Sequence, residues 1–303
     1  MKTELLQCCG VCHGSALDVV DADCNVVRCQ ECGYIFDNPR PTMEELITFY
    51  SRPTQYDSWL TELQDRDRLW KRRLRKLQPT KKSGSLLDVG TGIGQFLSLA
   101  RSSYNEVYGT EVSSTAVQIA KQEYQLDLFQ GTIENLATRD KVFDNITLFH
   151  VLEHVPDPRS LLETCYRLLS AQGILVIAVP NEVASFRAFA RRILMKSRLK
   201  KSRRLGKFGL PLISLSPDSD EVHLSHFTPK VLRQLLRTAG FSVIENTLDP
   251  YYIATGIARL RADIYYYVCH AFLRVFRLNV YDTMLVIARK TSTSPDPQVA
   301  SGH

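Results

Sequence analysis

Three groups of residues in this 303-residue chain have the types and spacing to do chemistry. The first is a pair of C-x-x-C units, Cys9-Gly-Val-Cys12 and Cys29-Gln-Glu-Cys32, separated by 16 residues. Two residues between thiolates let one tight knuckle turn both sulfurs toward one tetrahedral ion. Four protein ligands leave no open position, so the spacing predicts a structural zinc on Cys9, Cys12, Cys29 and Cys32. A set of reduced thiols or a redox pair is the competing reading, and Cys8 or Cys24 are the spare cysteines that could replace Cys9. The second group is the glycine-rich run Asp88-Val-Gly90-Thr91-Gly92-Ile-Gly94-Gln95, directly after an apolar stretch. The third is His150, Glu153 and His154, whose i, i+3, i+4 spacing puts them on one face if the chain turns helically there.

A dinucleotide fingerprint would place a glycine where Gln95 stands, so a nicotinamide or flavin cofactor is disfavoured. A nucleoside without phosphates needs no pyrophosphate cradle. It needs bare backbone close to its ribose, which glycine supplies sterically. Asp88, polar at the end of an apolar run, calls for hydrogen-bond partners, either loop amides or the cofactor itself. Glu111 lies 21 residues after Gly90 at the end of the next apolar run, where an acid can accept from both ribose hydroxyls.

The elements that must position these groups follow from hydrophobic patterning. Short Val, Ile and Leu runs at 85–90, 106–110, 126–130, 145–149, 173–179, 242–246 and 283–288 alternate with helical patterns, as parallel strands joined by crossover helices do. Asp157 and Pro158 predict a capped helix start between the fourth and fifth runs, and Thr228 and Pro229 predict another. Leu60, Leu63, Trp70, Leu74 and Leu77 predict one amphipathic helix before Pro79. The expected fold class is therefore α/β, a doubly wound seven-stranded mostly parallel sheet preceded by a small zinc-ribbon domain. Its expected divisions are a ribbon at 1–40, a helical connector at 41–82 and a main domain at 83–290. Insertions are expected at about 183–217 and 251–278, with a disordered tail at 291–303.

These residues resemble the class I S-adenosylmethionine-dependent methyltransferases across nearly the whole main domain. DVGTGIG looks like their first motif and YGTEVS like their ribose segment. FDNITLFHVLEHVPDP and HLSHFTPKVLRQLLRTAGF look like regions of the ubiquinone-type O-methyltransferase group. The resemblance implies S-adenosylmethionine as cofactor, held by Asp88, Gly90, Thr91, Gly92, Gly94 and Glu111. Where the family usually offers an acid near the adenine this chain reads Gly131, Thr132, Ile133, which points to Thr132 and the backbone at Ile133. Methyl transfer to a hydroxyl requires alignment and a proton acceptor. His154 is the expected general base, with His150 and Glu153 beside it; a packing or capping histidine is the alternative. Some ubiquinone-type enzymes carry a divalent ion at the matching cluster, with an acid where this chain has His150, which disfavours an oxygen-loving ion here. His223 and His226 either face the substrate or pack against the following helix.

Charge speaks to partners. The net +6 is concentrated in residues 183–217, which hold ten Lys or Arg and no acid. Phe186, Phe189, Ile193 and Leu194 interleave with them, as in a helix lying on an anionic membrane; a solvated insertion is the bland alternative. The expected acceptor is a small molecule, a glycan or a lipid-linked compound, with both insertions forming a roof over the active site. An RNA methyltransferase using the ribbon and basic block is the nearest rival, although nucleic acid is disfavoured because HVLEH replaces an Asn-Pro-Pro-aromatic clamp. A non-catalytic binding protein is the third reading. No transmembrane segment or secretory leader is evident, which gives a cytoplasmic expectation, with peripheral membrane contact as an extension of it.

Overall fold

Seven apolar runs become one sheet in the computed structural model, which describes residues 1–22, 24–77, 84–136, 141–196, 205–216, 219, 221–250 and 256–291. In chain order the head contains β1 (Thr3–Glu4), β2 (Leu17–Asp21), β3 (Val26–Cys29), β4 (Ile35–Asp37) and β5 (Arg40–Pro41). The connector contains α1 (Met43–Tyr50), α2 (Asp57–Thr61) and α3 (Leu63–Leu77). The body follows with β6 (Ser85–Val89), α4 (Gln95–Ala100), β7 (Glu106–Glu111), α5 (Ser114–Tyr124), β8 (Phe129–Gln130) and β9 (Phe143–Phe149). It continues through α6 (Pro158–Leu168), β10 (Leu169–Pro180), α7 (Phe186–Lys196), β11 (Ser225–His226) and α8 (Pro229–Thr238). It closes with β12 (Phe241–Leu248), α9 (Gly256–Phe276) and β13 (Thr283–Lys290).

The main sheet has the order β12-β13-β10-β9-β6-β7-β8, parallel except for β13, which runs against both its neighbours. Four of the five β6 side chains are buried because helices cover both faces, which is why its sequence, SLLDV, lacks a polar alternation. From β6 the chain winds outward through β7 and β8, then returns to place β9 on the other side of β6. That reversal opens a crevice beyond the carboxyl ends of β6 and β9, where Gly90 and His150 stand. The sequence-level caps hold: the Asp157 carboxylate accepts from the Arg159 and Ser160 amides, and the Thr228 hydroxyl from the Val231 amide.

The head is not closed on itself. Strand β11, from the segment after α7, pairs with β4 as the fourth strand of its sheet. Cys9, Cys29, Tyr34 and Phe36 share one apolar cluster with Leu87, Leu148 and Phe227 of the body. Below the surface, Asp37 meets His226 at 3.0 Å, both fully buried.

The connector differs from the single helix expected. Periodicity located α3, but α1 and α2 precede it, and their apolar residues are too few in so short a span to show a helical period; only Leu46 and Phe49 of α1 are buried. The end of the connector, parts of both insertions and the tail from residue 292 lie outside the described residues. Among the described residues no helix is long and apolar enough to cross a membrane.

Candidate functional site

The loop after β6 is shaped by close approach. Gly90 and Gly92 take φ of 66° and 58°. A Cβ on Gly90 would sit 2.6 Å from Val151, and one on Gly92 would sit 2.9 Å from the Trp59 ring, so a side chain at either position collides as well as straining the backbone. Glu111 closes β7 and is held from two sides: Oε2 accepts from the Gly92 amide at 2.7 Å and Oε1 from the Ser113 amide at 2.9 Å. Burial raises its pKa while these amides pull it down. Each carboxylate oxygen retains a further lone pair, so the same group can still accept from a hydroxyl in the crevice.

A cavity of about 420 Å³ lies at this crevice. Of the eight residues expected to hold the cofactor, Gly90, Gly92, Glu111, Thr132 and Ile133 border it. Asp88, Thr91 and Gly94 do not. Asp88 is buried behind the loop, where its Oδ1 accepts from the Thr147 hydroxyl at 2.6 Å, and burial pushes its pKa up to about 7. Thr91 donates to the Asp88 carbonyl, and Gly94 caps α4. These three residues shape the loop from the rear.

On the other side of the cavity stand His150 and His154. The stretch between them is a tight turn that starts with His150 at φ 58°, not the helix the spacing suggested. Glu153, almost completely buried, is the hub: Oε1 lies 3.1 Å from His150 Nδ1 and 3.9 Å from His154 Nε2. His150 Nε2 lies 2.9 Å from the Arg73 guanidinium. Guanidinium can only donate, so that nitrogen is the acceptor and Nδ1–H donates to Glu153. Both ring nitrogens of His150 are thus engaged in positioning Glu153.

His154 is oriented differently. Its Nδ1 lies 2.6 Å from the Val222 carbonyl, which can only accept, so Nδ1 carries the proton and Nε2 the lone pair. Tyr50 Oη lies 3.0 Å from the same Nδ1. Burial lowers the His154 pKa, and Glu153 offsets only part of this, so the ring stays neutral. His223 packs edge-on to His154, with ring centroids 4.9 Å apart. Burial opposes charge on His223, but Glu182 at 3.0 Å and Glu221 at 3.4 Å outweigh it and hold the ring protonated. Glu153, His154 and His223 bring ligand atoms within 4.8 Å of one another, and a cation there would have to displace the proton that the two glutamates hold on His223. His226 is buried between Asp37 and Glu182, so it ties the body to the head.

The profile of a family described as "Methyltransferase domain" matches residues 63–246. The chain is a class I methyltransferase family member. Among curated relatives, the ubiquinone biosynthesis O-methyltransferase of Alkalilimnicola ehrlichii is 35% identical over 102 residues, covering 32% of this chain and 41% of that protein. An S-adenosylmethionine-dependent methyltransferase of Mycolicibacterium smegmatis is 25% identical over 182 residues, 58% of each chain. The match thus spans less than half of the first relative and under two thirds of the second. Among solved structures, a chain from the complex of the Haloferax volcanii Trm112 methyltransferase activator with a methyltransferase shares the fold at a TM-score of 0.53 and 18% identity, covering 80% of this chain and 97% of that one. A Thermotoga maritima S-adenosylmethionine-dependent methyltransferase does so at 0.51 and 18%, covering 81% and 100%.

Several cavity residues of this methyltransferase escaped sequence reasoning. Tyr50, Tyr56, Trp59, Arg66 and Trp70 come from the connector, for which the sequence pattern predicts an amphipathic helix and no part in the site. Among the described residues, these helices and not the two insertions border the cavity. The Arg66 guanidinium lies 3.8 Å over the Trp59 ring, and the Trp70 indole donates to Gln95 at the start of α4, fixing the roof on the loop. The aromatic richness of residues 49–59 was the available signal. Glu134 also borders the cavity, one residue beyond the positions compared with the family's adenine acid.

Replacing Glu111 by alanine is expected to weaken S-adenosylhomocysteine binding about 10- to 100-fold, because a charge-assisted acceptor is lost and two loop amides lose their partner. Titration calorimetry measures this; affinity within threefold of the parent would remove Glu111 from the cofactor site.

Proposed function

We propose that this methyltransferase transfers a methyl group from S-adenosylmethionine to a hydroxyl of a small-molecule, glycan or lipid-linked acceptor, with His154 as general base. The observation that carries the reading is the tautomer of His154: its Nδ1–H is spent on the Val222 carbonyl, so the unprotonated Nε2 is available beside the cavity. S-adenosylmethionine, when bound, supplies an electrophilic methyl on a sulfonium. The chain's own part is to grip the ribose through Glu111, bring the Gly90–Gly92 backbone and the 131–134 segment against the nucleoside, and exclude water with the connector aromatics. Glu153 sets the field in which His154 takes the acceptor's proton, and His150 keeps Glu153 in place. The curated relatives named as O-methyltransferases support oxygen as the acceptor atom.

The test is release of S-adenosylhomocysteine in the presence of separate acceptor classes: catechols such as 3,4-dihydroxybenzoate, free saccharides, lipid-linked saccharides and bulk RNA. Turnover confined to hydroxyl acceptors supports the proposal. Turnover on RNA alone, or no heat of S-adenosylmethionine binding, overturns it.

We further propose that Cys9, Cys12, Cys29 and Cys32 hold one structural zinc. Tetrahedral Zn–S bonds of about 2.3 Å place sulfurs roughly 3.8 Å apart. Here Cys9–Cys32 and Cys12–Cys29 each stand at 3.5 Å, and all four lie within 4.8 Å of one another. Purified protein is expected to contain about one zinc per chain. Metal analysis of Cys29→Ser should show that content falling to a minor fraction, and zinc-free parent protein with an unchanged melting curve would refute the site.

A further inference from the structure

We propose that the outer face of α9 is a docking surface for an anionic lipid bilayer. The 21-residue helix, GIARLRADIYYYVCHAFLRVF, is apolar on both sides. Its inner side is accounted for: Phe272 packs on Phe186 of α7, Tyr265 on Tyr281, and Cys269 is buried. Its outer side carries Ile257, Leu260, Ile264, Tyr267, Val268 and Val275, each between 50% and 72% exposed. At helical spacing these six fall in one stripe roughly 100° wide, which runs the length of a helix about 30 Å long. A helix apolar all round is normally buried on all sides, and a contiguous exposed stripe of this size marks an interaction surface.

Charge decides the occupant. Arg261 and Arg274 follow the two borders of the stripe, and Arg277 stands just beyond the helix end. The one acid on α9, Asp263, is taken by Arg259 at 3.0 Å. The neighbouring α7 adds exposed Phe189 and Ile193 together with Arg187, Arg191 and Arg192. A second copy of this face would bring arginine against arginine. A bilayer rich in anionic headgroups offers both the acyl boundary for the stripe and the counter-charge for its borders, each cation near such a surface contributing about 1 kcal/mol. The helix is not apolar enough to span, so it lies in the interface plane.

The placement is useful to an enzyme. α7 follows the carboxyl end of β10 and α9 follows that of β12, the same sheet edge that bears the crevice. α9 also touches α3, through Arg72 over the Tyr266 ring, and α3 lines the cavity. A bilayer on α9 therefore lies beside the roof of the cavity. The docking face stands independently of methyl transfer, and lipid binding is measured without turnover.

The experiment is vesicle flotation of the full chain with phosphatidylcholine alone or phosphatidylcholine containing phosphatidylglycerol, at low and high salt. Flotation is expected with the anionic vesicles only, and weakened by salt. The triple variant Leu260→Asp/Ile264→Asp/Val268→Asp is expected to lose binding about tenfold or more, because charged groups replace the inserted apolar ones. Val19→Asp, an exposed apolar site on the head, should float like the parent. A thermal melt confirms that the triple variant folds. Absence of flotation, equal flotation of the triple variant, or a concentration-dependent dimer in sedimentation that the triple variant abolishes would each overturn the proposal.

Discussion

His154→Ala is expected to lower kcat/KM by about 100- to 10 000-fold, the range over which a positioned general base contributes, with S-adenosylhomocysteine affinity unchanged within a few fold. The reasoning rests on proton inventory. Among the three residues of the H-x-x-E-H group, Glu153 is buried and His150 has both nitrogens engaged, with Arg73 and with Glu153 itself. The unprotonated nitrogen of His150 is taken up by Arg73, whereas that of His154 borders the cavity, because the Val222 carbonyl fixes the proton on its other nitrogen. A base works only when neutral. Burial lowers its pKa, so most of the ring is already competent to accept a proton at the ordinary histidine midpoint, and that competence is lost only as the pH falls further. The acid limb of the pH–rate profile should therefore lie below the ordinary histidine value and disappear in the variant. His154→Gln, which preserves volume and one hydrogen bond to Val222, should be impaired nearly as much. Retention of more than a third of parental turnover in both variants would assign proton removal to another group.

The parts of this site that could be read in one dimension are those made by neighbours in the chain. Gly90, Gly92 and Glu111 were legible because a strand end and a loop impose residue types locally. Glu153 and its two histidines were legible because they lie within five positions. What could not be read are the partners supplied from afar. Arg73 reaches His150 across 77 positions, and Val222 fixes the His154 tautomer across 68. Nothing in a 15-residue window distinguishes Arg73 from the other cations of α3, since an amphipathic pattern reports which face is apolar and not which cation is drawn under it. The same limit explains the head. Its cysteine spacing announced a ribbon, but the strand that completes its sheet, Ser225–His226, is a two-residue segment nearly 190 positions away, too short to carry a period. The coupling of head and body through Asp37 and His226 is visible only once those two strands lie side by side.

Arg73 also carries the largest expected stability effect. Its Nε lies 3.0 Å from Asp249 Oδ2, and both side chains are almost completely buried. The guanidinium also packs over the Phe149 and Trp70 rings, at 4.6 and 4.9 Å. Replacing it by methionine fills most of the space but strands the Asp249 carboxylate in an apolar setting and removes the donor to His150 Nε2. Breaking one side of a buried pair in this way costs about 3–5 kcal/mol, much more than an exposed pair such as Lys76–Glu245 could. Denaturant unfolding should show that loss as a lower midpoint at unchanged slope. The double variant Arg73→Met/Asp249→Leu should recover a large part of it, because removing both charges leaves no uncompensated group. Turnover gives the second readout. With His150 no longer held by Arg73, Glu153 loses its anchor, so the double variant should fold well yet remain slower than the parent in kcat, with cofactor affinity intact. A double variant as active as the parent would reduce Arg73 to a packing residue, and a single variant destabilised by less than about 1 kcal/mol would mean that Asp249 finds water or another donor when the guanidinium is removed.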